Sequence, residues 1–161
     1  SALVSGATDS IGVDIKREWL ALAHKNAVLN GVSDRVKFIE DDAFSALRKI
    51  YNSGRRFDII VVDPPSFMRS KRAVVNASKG YKELNLMAMK TLNDKGILAT
   101  FSCSHSMSNE TFSGILKDAS RDAKKRFSIL KRCHQPKDHP IIKAIPETEY
   151  LKGYFLEITT E

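Results

Sequence analysis

The sequence predicts an α/β fold around a mostly parallel sheet, on three observations. Short apolar runs rich in β-branched residues alternate with longer stretches of helical periodicity, the pattern of right-handed βαβ units. Successive runs end in an acid, at Asp14, Asp42 and Asp63. The last two runs have no helix between them and are expected to pair antiparallel at one edge of the sheet. The length of 161 residues suits one domain with one core.

Ser1 to Ala7 reads as the tail of a helix capped by Gly6, so the chain is expected to open in the middle of a fold. Ile11–Ile15 is a strand. Lys16 to Asn30 follows as an amphipathic helix, with Trp19, Leu20, Leu22, Ala23, Ala27 and Leu29 at helical spacing and Asn30-Gly31 as its stop. Val36–Ile39 is a strand ending in Glu40-Asp41-Asp42, and Asp42 can cap a helix from Ala43 to Tyr51. Phe57–Asp63 is a strand expected to be buried on both faces, since Ile59 to Val62 is uninterrupted apolar. Pro64 and Pro65 end it, because neither donates to a ladder. Ser66 to Ala77 reads as a loop, Ser78 to Leu92 as a helix and Asn93-Asp94-Lys95-Gly96 as a turn. Ile97–Cys103 is a strand, Ser108–Lys125 a helix and Ser128–Cys133 a strand. Gln135 to Pro146 is an extended loop, and Gly153–Thr159 is the closing strand.

Composition narrows the class of protein. With 42% hydrophobic and 28% charged residues the chain is ordinary for a globular domain, and no apolar run reaches membrane-spanning length. Two cysteines, Cys103 and Cys133, are too few for a disulfide framework and are expected to be reduced thiols in a cytoplasmic protein. Neither they nor the four histidines show metal-ligand spacing. The net charge of +7 is clustered: five basic residues and no acid lie between Arg69 and Lys82, and nine basic residues against three acids between Lys117 and Lys143. Such clusters suit a phosphate backbone, although a solvated basic surface has the same composition.

In open α/β sheets ligands bind outside the C-terminal ends of the strands, and a carboxylate there can accept from both hydroxyls of a ribose. Asp14 is placed for that task. Asp42, one strand over, can accept from an exocyclic amine of the same nucleoside or serve only as a helix cap. Ile15 and Phe44 can flank the base.

Gly12-Val13-Asp14, Ala27-Val28-Leu29-Asn30-Gly31, Glu40-Asp41-Asp42-Ala43-Phe44 and Asp63-Pro64-Pro65-Ser66-Phe67, followed by Phe101-Ser102-Cys103-Ser104, resemble successive motifs of class I S-adenosylmethionine-dependent methyltransferases. The resemblance is greatest to the family that makes 5-methylcytosine in large-subunit ribosomal RNA, and it covers nearly the whole chain. It implies a Rossmann-like sheet that here lacks its first strand and glycine-bearing loop, so residues 1–161 would form one N-terminally truncated catalytic domain. It implies S-adenosylmethionine as cofactor, held by Asp14, Ile15, Asp42, Ala43, Phe44 and Asp63, and RNA as partner. It implies Cys103 as nucleophile at C6 of a cytosine and Asp63 as the group holding its N3/N4 edge. Pro64, Pro65 and Phe67 would meet the base, and Arg69, Lys71 and Arg72 its phosphates. His105 could take the C5 proton or be a polar loop residue, and Cys133 is expected to be structural. Two other readings stay open: a methyltransferase acting on an exocyclic nucleobase amine, which needs Asp63-Pro64-Pro65-Ser66-Phe67 but no thiol, and a non-catalytic RNA-binding remnant.

Overall fold

The computed structural model describes residues 2–66, 74–142, 144–145 and 148–160, and of 74–76 the backbone only. The chain divides into two compact units, residues 1–49 and 50–161.

In the first unit, strand β1 (Ser10–Asp14) pairs in parallel with β2 (Val36–Glu40), joined by helix α1 (Arg17–Leu29) and a 3-10 turn at Ser33–Arg35. The expected helix tail before β1 is a capped turn. Ala7 N donates to Ala2 O (3.0 Å) and Gly6 N to Leu3 O (3.3 Å), with Gly6 at φ +106°. That is the bond pattern of a Schellman cap, and a left-handed φ there favours glycine. The core of this unit is small: Leu3, Ala27 and Val32 are buried, with Ala7, Val36 and Phe38 packed on them. The apolar stripe expected to bury α1 is therefore largely exposed, since Trp19, Leu22, Val28 and Leu29 stay in solvent and only Ala27 is buried. Helix α2 (Ala43–Asn52) starts where expected.

The second unit is a four-stranded sheet in the order β3-β4-β6-β5, formed by β3 (Phe57–Val62), β4 (Leu92–Ser102), β5 (Lys125–Cys133) and β6 (Lys152–Thr160). β3 and β4 run parallel, and β6 lies antiparallel between β4 and β5. The expected antiparallel pair of closing strands, β5 and β6, is thus present, with β6 inserted between β4 and β5. Helices α3 (Val74–Thr91) and α4 (Asn109–Ala123) supply the core. Tyr81 packs edge-on to Phe112 at 5.7 Å, and Phe112 lies 5.9 Å from Tyr154 of β6. Leu84, Met89, Leu98, Leu116, Leu156 and Ile158 are fully buried around them, each contributing about 1.5–3 kcal/mol of transfer free energy. Ser108 caps α4 by accepting from Thr111 N at 3.1 Å.

Three boundaries differ from the sequence reading. α3 begins at Val74, four residues earlier than its periodicity suggests. The turn at 93–96 is an irregularity inside β4, where the register jumps from Phe57↔Leu92 to Ile59↔Ile97 and Lys95 takes φ +60°. β3 is not buried on both faces: Ile59 is 58% and Val61 65% exposed, and Val62 alone is buried. Ile59 and Val61, two residues apart, share the exposed face of β3, which ends the sheet and is paired only with β4 among the described residues.

Candidate functional site

Each unit gathers predicted site residues at the C-terminal end of its parallel strands. In the first unit Asp14 ends β1, opposite Glu40 at the end of β2. Its Oδ1 accepts from Lys16 N at 2.8 Å, and its carbonyl accepts from Asp41 N at 3.2 Å. Asp42 follows at once. Its Oδ1 accepts from Phe44 N and Ser45 N, both at 3.0 Å, so it is the N-cap of α2. Those donors, Ser45 N first, hold its carboxyl below the usual carboxylate range. Capping and ligand binding are compatible uses of one carboxylate. Ala43 and Phe44 form the first turn of α2, and Ile15 is exposed just beyond β1. Two carboxylates at adjacent strand ends beside an exposed aliphatic side chain suit a ribose and a purine ring. The donor chemistry of the first unit therefore fits a nucleoside-bearing cofactor.

In the second unit Asp63 follows β3 and Cys103 follows β4. Val62 pairs with Thr100 in a parallel register, which brings Asp63 and Cys103 to the same end of the sheet. Cys103 is a free, half-buried thiol. Ser102 and Ser104 beside it are buried, and Ser104 Oγ has no hydrogen-bond partner among the described residues. Asp63 and Pro65 are exposed and Pro64 half-buried. Phe67, Arg69, Lys71 and Arg72 lie outside the described residues. Cys133 ends β5 opposite Gly153. A side chain at 153 would sit 2.5 Å from the Phe101 ring and 3.0 Å from Cys133 Cβ, so glycine is required by close approach.

Sequence reasoning missed Lys152. It is 2% exposed, and its ammonium donates to Ser104 O at 2.7 Å and Tyr150 O at 2.8 Å. Burial pushes its pKa below the ordinary lysine range, while Glu149 and then Cys103 draw it back up. A buried lysine whose hydrogen bonds go to main-chain carbonyls is rare, and such groups cluster at functional sites. A signal was present in the sequence: Lys152, Tyr154, Leu156 and Ile158 alternate along the last strand and share its inward face.

A cleft of about 400 Å³ lies at the other end of this sheet, lined by Tyr51, Arg56, Lys90, Asp122, Lys124 and Lys125 among others. It contains none of the predicted site residues. Those of the second unit lie instead on the open rim where β3 and β4 end.

A strand-helix alternation, carboxylates at adjacent parallel strand ends and an inserted antiparallel β6 together define a Rossmann-like α/β domain of the nucleotide-cofactor type. The sequence profile described as "Methyltransferase domain" matches residues 2–150, and the chain belongs to that family. It is 41% identical over 96% of its length to "Ribosomal RNA large subunit methyltransferase I" of Klebsiella pneumoniae (strain 342), covering 39% of that relative. Two solved structures match the fold closely. One, described as a methyltransferase complexed with SAH, superposes with a TM-score of 0.84 at 23% identity, covering 97% of this chain and 40% of that one. The other, described as a SAM-dependent methyltransferase from Streptococcus mutans, gives 0.83 at 22%, over 97% and 40%. The chain thus spans about two fifths of the length of these relatives. Among the described residues no helix is long and apolar enough to cross a membrane.

Proposed function

We propose that this chain is part of the catalytic domain of an RNA methyltransferase that uses S-adenosylmethionine to methylate C5 of a cytosine in large-subunit ribosomal RNA. The observation that carries this reading is the placement of Cys103 and Asp63 at one end of the β3–β4 pair. The name of the curated relative, which specifies large-subunit ribosomal RNA, supports the substrate class.

Asp14, Ile15, Asp42, Ala43 and Phe44 hold the nucleoside part of the cofactor in this account. When bound, the cofactor supplies an electrophilic sulfonium methyl group. C5 of cytosine is too weak a nucleophile to take that methyl unaided. The Cys103 thiolate adds at C6, forming a C–S bond and giving C5 enamine character. Asp63 holds the N3/N4 edge and stabilises the charge that develops on the ring. After C5 is alkylated its proton leaves to a base, and the C–S bond breaks to return the thiolate to Cys103. His105, two residues on and exposed, is within the same segment as the nucleophile and is assigned that proton. Attack at C6 needs an unstacked base, which makes looped or single-stranded RNA the substrate.

Nucleoside mass spectrometry of ribosomal RNA treated with the full-length protein and labelled cofactor tests the assignment. Label on cytosine C5 is expected. Label on an exocyclic nitrogen would favour the amine methyltransferase reading, and a protein that binds RNA but neither cofactor nor methyl would be the non-catalytic remnant.

A further inference from the structure

Three rings stand at the C-terminal end of the four-stranded sheet, and two of them, Tyr150 and His139, have no part in the chemistry assigned above to Asp63, Cys103 and His105. Tyr150, half-buried, lies between two exposed imidazoles: its ring centroid is 5.6 Å from His105 at 36° and 5.9 Å from His139 at 45°. His139 Nδ1 and Tyr150 Oη are 2.8 Å apart, a hydrogen bond that holds the second contact. His105 belongs to the segment after β4, two residues past Cys103. His139 and Tyr150 belong to the segment between β5 and β6. These segments are joined from beneath by Lys152, whose buried ammonium donates to Ser104 O and to Tyr150 O at once. A side chain with a costly buried charge thus fixes the ring cluster to the strand end that carries Cys103.

Tilted ring contacts with two imidazoles outside and a phenol hydroxyl between them leave an amphipathic, polarisable surface beside the nucleophile. Such surfaces stack bases without strong sequence preference, because every base has a π-face. A cytosine drawn out of its stack leaves a neighbour whose face is uncovered. A platform whose rings already contact one another in the free protein loses less entropy in covering it.

We propose that His105, Tyr150 and His139 form a stacking platform for the nucleotide next to the target cytosine, with Lys152 as the positioning residue that locks the platform to the Cys103 strand end. The proposal rests on the RNA reading above and deepens it by assigning where a flanking base goes.

The test uses the full-length protein with cofactor and a looped RNA carrying 2-aminopurine immediately beside the target cytosine. Binding to the unmodified protein is expected to quench the fluorophore. Tyr150→Ala is expected to lose most of the quenching and to raise KM for RNA about 5- to 150-fold, with kcat and cofactor affinity little changed. Tyr150→Phe keeps the face and is expected to retain most of the quenching, and His139→Ala to lose part of it. Full quenching in Tyr150→Ala would overturn the platform. So would a loss of cofactor affinity in parallel with KM in both Tyr150→Ala and Tyr150→Phe, since that pattern marks a merely structural ring. RNA bound by the unmodified protein without any quenching would also overturn it, whereas failure to bind RNA at all would remove the RNA reading itself.

Discussion

At the N-terminal end of the four-stranded sheet, Lys82 Nζ meets an Asp122 oxygen at 2.7 Å with both side chains more than a third exposed. At the C-terminal end, Lys152 is 2% exposed and its amino group donates to two main-chain carbonyls. The first arrangement costs little and is worth little, since solvent screens both charges. The second carries a desolvation cost that a surface ammonium would avoid. The N-terminal end also has a cleft of about 400 Å³, with Arg56 stacked 4.7 Å over Tyr51 and donating to its carbonyl at 3.3 Å. Cavity volume and strained electrostatics thus point to opposite ends of one sheet, and the buried, over-determined charge is the better guide to chemistry.

Substitution should separate the two ends clearly. Lys152→Met is expected to have the largest effect. It removes the donor from the buried Ser104 carbonyl and the part-buried Tyr150 carbonyl and lowers the thermal midpoint by several degrees, about 1–3 kcal/mol. It should also slow methyl transfer by as much as about 10²-fold, because both segments it joins lie at the catalytic rim. Single-turnover kinetics beside calorimetry would show the two losses separately; equal effects from Lys82→Ala would erase the contrast.

Acidification should act on the N-terminal end. Asp94, accepting from Thr160 N at 2.8 Å, and Asp122, beside Lys82, have carboxyls held below the usual range. Their contribution is present above the ordinary carboxylate value of about 4 and is lost as pH falls through the lower folded-state values. Lys152 has the opposite consequence at high pH. Its folded-state value is depressed, so below it the burial cost is fully present, and stability rises as pH climbs from there toward the ordinary lysine value of about 10.4. Urea midpoints across pH should show the wild-type chain gaining on Lys152→Met in that alkaline window.

Lys124 closes α4 in the left-handed region at φ 54° and ψ 48°. Lys124→Gly should stabilise the protein by about 0.5–1 kcal/mol by relieving that strain. A destabilised variant would mean that the Lys124 side chain holds the cleft together. Lys82→Ala should be the smallest change, under about 1 kcal/mol by chemical denaturation.

The order of elements was legible because most strands are compact apolar runs closed by strong punctuation: Asp63-Pro64-Pro65 after β3, Asn30-Gly31 after α1, Ser108 before α4. Less legible were features decided by neighbours. Ile59 and Val61 read as buried because β-branched runs in parallel sheets usually are, yet they share the exposed face of β3 at the end of the sheet. The Trp19 and Leu29 stripe has helical spacing but only a small core to cover. The strand-end positions of Asp14, Asp42, Asp63 and Cys103 were legible because acids and a thiol stand out against apolar runs. Lys152 was not, since a lysine beside a glycine at a strand boundary reads as surface until the alternation with Tyr154 and Leu156 is followed inward. Tyr150, His105 and His139 are separated by up to 45 residues, and only the folded chain brings their rings together.

The central claim is that Cys103 bonds to the substrate base at the rim it shares with Asp63. RNA carrying 5-fluorocytosine at the target tests it most directly, because fluorine at C5 cannot leave as a proton would and the C–S bond then persists. With cofactor present, the wild-type full-length protein should give a complex that survives denaturing electrophoresis, and Cys103→Ala should give none. An undiminished complex in Cys103→Ala, or methylated cytosine C5 from that variant, would contradict the account.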